Sequence, residues 1–472
     1  MKNRTLACLT LCAGLPMLAQ SPNLTVTSSN GDSSLTMYGI LDMGIGHVAH
    51  GATFAGDYGS TTDPRPVKAA TQSVTGAING GLSGPRLGFK GQTKVTDDVN
   101  AVFTLEMALN IISGQVSNGA QSLAQNISGS PDGTLTHPNA GEVNSDSSLS
   151  GQLFGRQANF GLDSKTWGTL LLGRNSNLFS DITSSYDALN GAQLFSLLGY
   201  SSTYGGSGGA TDLTRMDSSV KYRVKLADVF TLGALHKFGG VSGDASARGV
   251  DELMAAYEEG PFGVSFVYEN AKDATSVANY MTLVQTQPTP NPGTGSWTNN
   301  YGTTADQVAV TFYDIKTWQL AARYKIGAFN IKGGYEYQQI SDPSDPASDA
   351  TMTSIYGQMV GQVITNKLFV NGAEQTKKLT VTWLGVSYDV TSAFNVAVGY
   401  YGIHQDDFSN GTSTAADKAG NAKFGSLLLD YKFSKQLDGY AGYMNTQYTM
   451  GLAAGYPLAS NNVFGMGLRY SF

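Results

Sequence analysis

The sequence predicts an all-β protein, a transmembrane antiparallel β-barrel of about sixteen strands. Three observations carry this. Apolar and polar residues alternate with period two in one segment after another, connections alternate between short turns and long polar loops, and the composition is that of a protein whose surface avoids charge. Gly makes up 58 of 472 residues and charged residues only 14%, against usual shares of about 7% and ~25%. Mean hydropathy is -0.14. After residue 20 no run reaches the ~18 consecutive apolar residues that mark a spanning helix. With 24 Tyr, 20 Phe and 4 Trp the chain is also too aromatic for a disordered one. A polyhelical transporter is excluded.

The first twenty residues read as a secretory signal peptide. Lys2 and Arg4 form a positive start, Thr5 to Leu15 an apolar core, and Pro16 to Gln20 a cleavage region near Ala19 or Gln20. Residues 21–33 follow as a linker and 34–472 as the barrel. Cys8 and Cys12 are the only cysteines and lie in the leader, so the exported chain holds together without disulfides. Removing Lys2 and Arg4 takes the formal charge from -7 to -9. An acidic exported chain does not suit nucleic acid, which demands clustered Lys and Arg.

Each strand follows from its alternation. Leu35, Met37, Gly39, Leu41 and Met43 share one face and Asp42 takes the other. Phe394, Val396, Val398 and Tyr400 form one face of a later strand, and Leu427, Leu429, Tyr431 and Phe433 one face of the next. The full set lies near 34–48, 80–94, 98–112, 152–163, 167–175, 217–226, 228–238, 249–259, 261–271, 308–326, 327–340, 378–389, 392–404, 423–434, 436–448 and 462–472. Most match or exceed the ~9–11 residues of a tilted spanning strand.

A soluble sandwich would alternate in the same way. It would not put a long loop at every second connection. Here the loops near 49–79, 113–151, 176–216, 239–248, 272–307, 341–377, 405–422 and 449–461 alternate with turns such as Val95–Asp97 and Asp389–Thr391. Membrane barrels do this, with short turns on one side and long loops on the other.

The same alternation aims charges inward, because Arg or Lys on the lipid face costs ~2–4 kcal/mol at the bilayer midplane. With Leu87 and Phe89 outward, Arg86 and Lys90 face the lumen; with Phe103, Leu105 and Met107 outward, Glu106 faces it too, as does Asp42. The final strand puts Phe464, Met466, Leu468, Tyr470 and Phe472 on one face, and Leu468, Tyr470 and Phe472 form a terminus suited to barrel assembly at the aromatic girdle.

These segments resemble the Gram-negative general-diffusion porins, especially the proteobacterial trimeric type. Ser34 to Asp42 looks like that family's first strand, Arg86 to Gly91 its second and Phe103 to Glu106 its third. Phe154 to Ala158 and Gly168 to Asn175 resemble the fourth and fifth, and Gly467 to Phe472 the last.

The resemblance implies a water-filled, sixteen-stranded homotrimer in the outer membrane, passing ions and small hydrophilic solutes by passive diffusion. It implies contact with outer-membrane lipid, lipopolysaccharide and the outer-membrane assembly machinery. The third loop, here Ser176–Thr214, would fold inward and narrow the pore. Arg86, Arg156 and Arg215 match the family's arginine cluster on the barrel wall, with Arg215 placed by its distance to Tyr222. Relatives carry paired carboxylates at the loop tip, whereas Asn190 to Tyr200 holds no acid. Asp181 and Asp187 precede the tip and Asp212 follows it, so Asp42 and Glu106 are left to supply part of the field from the wall. Three arginines against two acids give a weak anion lean.

Enzyme signatures are absent from the sequence. His47, His50, His137, His236 and His404 form no zinc-binding pair, and Gly205 to Gly209 lacks the Lys of a phosphate loop. Asp342, Asp345 and Asp349 lack calcium-loop spacing and read as solvated charge. No cofactor or metal is expected. A substrate-specific channel, for sugars, is the alternative; it would need an aromatic track along the lumen, for which Tyr38, Tyr401 and Tyr440 are candidates. A barrel enzyme or adhesin is the third reading. The trimer contact is expected near residues 152–175 and the first and last strands, with Gln157 and Asn159 outward.

Overall fold

The structure is a computed structural model that describes residues 24–50, 73–112, 114–116, 153–199, 215–240, 249–279, 308–341, 376–408, 418–453 and 458–472, with short pieces between them. The leader, Asp212, the glycine run at 205–209 and the aspartates at 342, 345 and 349 lie outside the described residues.

Sixteen strands form the wall. They are β1 (Ser33–Val48), β2 (in two pieces, Val74–Asn79 and Arg86–Lys94), β3 (Val99–Asn110), β4 (Gln157–Ser164), β5 (Gly168–Ser176), β6 (Arg215–Leu226), β7 (Phe230–Lys237) and β8 (Val250–Glu259). The second half comprises β9 (Phe262–Asn279), β10 (Val308–Ile326), β11 (Phe329–Ser341), β12 (Lys377–Asp389), β13 (Phe394–Gln405), β14 (Gly420–Lys432), β15 (Leu437–Met450) and β16 (Ser460–Ser471). Each pairs antiparallel with the next, and β16 closes on β1 from Ile40↔Ser471 to Val48↔Val463. Closure removes the free edges that an open sheet would expose.

Alternation decides what faces where. Leu384 is 62% exposed on the outer face of β12, while its neighbour Trp383 is 4% exposed on the inner face. At the short-turn rim, outward rings pair across strands: Phe230 with Tyr257, Phe329 with Tyr388, Phe394 with Tyr431. The rim turns also tie to one another. Asp98, in the β2–β3 turn, accepts from the Ser164 hydroxyl at 2.6 Å and the Thr166 hydroxyl at 3.0 Å. Those bonds, the Ser164 one first, hold its carboxyl below the usual range.

Four features differ from the sequence reading. The second strand is broken, because Gly80 takes φ +88° and Pro85 has no N–H for the ladder. Leu24–Thr27, read as linker, is a strand paired with β1 from Leu24↔Met37 to Thr27↔Ser34. Residues 153–156 are not strand; β4 starts at Gln157. Finally, Gln157 and Asn159 turn inward. Gln157 registers with inward-facing Glu106, and Asn159 is 5% exposed while Phe160 beside it is 58% exposed. The outer face of β4 is therefore apolar, built from Phe160 and Leu162.

The segment after β5 carries the one described α-helix, α1 (Leu178–Tyr186), capped by the Asn177 side chain accepting from Ser180 N at 2.8 Å. Its residues and those up to Leu198 pack against inward-facing wall positions. Ala188, Leu189, Phe195 and Leu194 sit over Gly385, Gly399, Gly442 and Gly465 respectively; a Cβ at Gly442 would stand 2.8 Å from the Phe195 ring. Phe179, Tyr186 and Phe195 are buried in this contact. Bare backbone on β12, β13, β15 and β16 is what admits these side chains.

Candidate functional site

One inward row crosses the first four strands: Tyr38 on β1, Gly88 on β2, Glu106 on β3 and Gln157 on β4 are register partners in turn. Gly88 has no side chain, so the Tyr38 ring lies over it; a Cβ there would be 2.3 Å from Tyr38 Cζ. The Tyr38 hydroxyl thereby reaches across β2 and donates to Glu106 Oε2 at 2.9 Å. Arg156, immediately before β4, donates from Nε to Glu106 Oε1 at 2.5 Å. Both carboxylate oxygens are occupied, and Glu106 is 3% exposed.

Arg86 begins the second piece of β2, two residues before Gly88, and its Nε donates to Gly84 O at 3.1 Å. Arg215 begins β6, opposite Ser176. Arg86, Arg156 and Arg215 all act electrostatically on Glu106. The structure thus gathers the three arginines and Glu106 from four separate parts of the chain. Lys90, the next inward cation along β2, stands 5.5 Å from the centre of the Tyr38 ring.

The other acids lie elsewhere. Asp42 faces inward but is 0% exposed. It accepts from Gly81 N at 3.1 Å, Leu82 N at 2.9 Å and Ser83 N at 2.7 Å, and from the Tyr440 hydroxyl at 2.7 Å. It holds the break in β2 in place, a role that the alternation alone did not reveal. Beside it Arg469 forms an ion pair with Asp438 through two donors. Asp181 on α1 pairs with Lys221 Nζ at 2.7 Å and Arg223 at 3.2 Å, both on β6. Asp187 accepts from the Tyr401 hydroxyl at 2.6 Å and Gly191 N at 2.8 Å.

The loop is fastened all round the inner wall. Leu178 N donates to Glu252 on β8 at 2.7 Å, and the Thr183 hydroxyl to Gln319 on β10 at 3.0 Å. Lys332 Nζ on β11 donates to Asp187 O at 3.0 Å and Asn190 Oδ1 at 2.6 Å; Trp383 Nε1 donates to Tyr186 O at 3.0 Å. At the tip Leu194 N donates to Gly81 O at 3.0 Å. The Gln193 side chain and the Arg156 guanidinium both lie beside Gly84. Sequence reasoning missed Lys221, Arg223 and Lys332 as loop anchors. Their inward parity was visible, but their partners sit on a loop whose path no local pattern encodes.

At the other end, Phe472 exchanges two backbone bonds with Gly39, 2.9 and 3.1 Å, and its ring lies over that glycine. Tyr470 and Phe472 stack at 5.9 Å, and Leu468 and Tyr470 are exposed on the outer face. Among the described residues no helix is long and apolar enough to cross a membrane, and no group of His, Cys, Asp and Glu is arranged to hold a metal ion.

Comparison with known proteins agrees with this architecture. An anion-selective porin from Comamonas acidovorans superposes with TM-score 0.59 at 18% identity, covering 93% of this chain and all of that one. The OmpF structure from Salmonella typhi, solved with daunomycin, gives TM-score 0.52 at 15% identity over 95% of this chain and all of that one. An outer membrane porin protein of Bordetella pertussis is 28% identical over 287 residues, which is 58% of this chain and 61% of that protein's length. The family model for Gram-negative porins matches residues 5–451. A closed sixteen-stranded barrel matched over almost its whole length leaves one conclusion: the chain belongs to the Gram-negative porin family.

Proposed function

We propose that this porin passes ions and small hydrophilic solutes through a lumen narrowed by residues 177–199, with a weak preference for anions set by Arg86, Arg156 and Arg215. The observation that carries this is the pairing at Glu106. One carboxylate stands among three guanidinium groups, and both of its oxygens are already bonded. Asp181 and Asp187 are bonded to cations or donors of the wall and loop, so they oppose the cluster less than their number suggests. Selectivity in such a pore comes from width and lining charge, and needs no cofactor or reacting group.

A sugar-specific channel requires aromatic rings along the open lumen. Tyr401 and Tyr440 are 1% and 4% exposed, covered by the loop, which leaves Tyr38 without a continuing track. Passive diffusion is the better reading. Liposome swelling with neutral sugars of increasing size tests it: the rate should fall smoothly with size and show no saturation. A rate that saturates for one sugar and not for its isomers would contradict it.

The working form in this reading is a homotrimer packed through the apolar outer faces of β1, β4 and β5, where Leu41, Met43, Ile45, Phe160, Leu162, Leu170 and Leu172 are exposed. Its surroundings would be outer-membrane lipid and lipopolysaccharide, and Leu468, Tyr470 and Phe472 would serve as the assembly terminus. Cross-linking in mild detergent should yield trimers; monomer alone would contradict this.

A further inference from the structure

Glu106 is the counter-charge of the arginine cluster, and its bonding is divided in an unequal way. Oε1 takes a charged donor, Arg156 Nε at 2.5 Å; Oε2 takes a neutral one, the Tyr38 hydroxyl at 2.9 Å. A carboxylate can hold two cationic partners, one on each oxygen. Two inward cations flank the Tyr38 side of this group: Arg86 and Lys90 lie two residues either way from Gly88, the position that the Tyr38 ring crosses. Arg86 already acts on Glu106 electrostatically, and Lys90 stands 5.5 Å from the Tyr38 ring centre. The Tyr38 phenol holds the carboxylate oxygen that Arg156 does not.

We propose that Tyr38 is a selectivity-positioning residue: its hydroxyl reserves Glu106 for Arg156 and so leaves Arg86 and Lys90 turned to permeating anions. This rests on the diffusion-channel reading above. The physical reason is that a neutral donor satisfies a buried acceptor without cancelling any charge. A guanidinium or ammonium in the same place would satisfy it and remove one positive charge from the field felt in the lumen. Screening confines remote charges to about 10 Å at 0.1 M salt, so one cation turned toward or away from the lumen at the narrow point is felt there. Gly88 belongs to the same device, because any side chain at that position would lift the ring from its path.

The test is the reversal potential of purified protein in planar bilayers under a potassium chloride gradient. Tyr38→Phe keeps the ring over Gly88 and removes only the hydroxyl. It should shift the reversal potential toward cation preference and so lower the anion-to-cation permeability ratio. Glu106→Gln should raise the ratio, and Tyr38→Phe added to Glu106→Gln should leave it there, because no carboxylate remains to recruit a cation. A purely structural role for Tyr38 would not produce that dependence on Glu106. Where Tyr38→Phe fails to give folded barrel, Gly88→Ala displaces the ring instead and should move the ratio the same way. An unmodified protein that does not conduct would overturn the diffusion-channel reading. An unmodified protein that conducts, with a reversal potential unmoved by Tyr38→Phe, would overturn this inference alone.

Discussion

The Tyr440 hydroxyl on β15 donates to Asp42 on β1 at 2.7 Å by lying across Gly467 of β16, the strand between them. The bond spans the seam where the barrel closes. Asp42 uses its remaining capacity on the backbone N–H groups of Gly81, Leu82 and Ser83, which join the two pieces of β2. One carboxylate therefore ties the strand break to the seam, beside the backbone ladder that closes it.

Asp42→Ala should cost roughly 3–5 kcal/mol, since it strands three backbone donors and a phenol at about 1–3 kcal/mol per buried group, some of which recover water. Tyr440→Phe should cost ~1 kcal/mol, since three of the four bonds survive. Denaturant midpoints of the refolded barrel in detergent, followed by heat-modifiable electrophoretic mobility, give the order. Equal or reversed effects would contradict the assignment.

Phe472 closes the outer side of the same seam through two backbone bonds to Gly39 and a ring laid over it. Deleting Phe472, or replacing it with a charged residue, should reduce the amount of folded protein in the outer membrane far more than it alters any pore that does form. Normal outer-membrane levels of the deletion variant would rule this out.

Loop seating depends on glycine. Gly442→Ala places a methyl carbon 2.8 Å from the Phe195 ring, an overpacking expected to cost ~1–3 kcal/mol. Single-channel traces should become noisier as the loop loses its seat. Adding Phe195→Ala should quieten them again, and traces that stay noisy would mean that Gly442 acts by another route.

Arg86→Ala with Arg156→Ala should shift ion preference toward cations. Losing Arg156 leaves one Glu106 oxygen unbonded, and losing Arg86 removes a second inward cation acting on it. A clear cation preference in the unmodified pore, unchanged in the double variant, would defeat the assignment of selectivity to this cluster.

The strands and their facing were largely legible in the sequence because period two acts locally: Asp42, Arg86, Lys90 and Glu106 face inward, as alternation requires. The grouping of Arg86, Arg156 and Arg215 was expected from the family resemblance, not from alternation. What was not legible depends on register. That Gly88 lies between Tyr38 and Glu106, or Gly467 between Tyr440 and Gly44, follows only once three strands are aligned, and a one-residue slip would reverse every side chain. Parity at Gln157 was misread for the same reason: its face is set by Glu106 across the ladder, in a strand that begins later than its hydrophobic pattern suggests. The loop anchors Lys221, Arg223 and Lys332 are further still from any local signal, since their partners lie 40, 42 and 145 residues away in sequence.

The most direct test of the central claim is single-channel recording of the purified protein in planar lipid bilayers over a range of potassium chloride concentrations. The account predicts stepwise conductance that rises steadily with salt, as a water-filled diffusion pore requires, with a small anion preference under a gradient. Absence of conductance steps, or conductance that saturates at low salt as a tight binding site would impose, would contradict it.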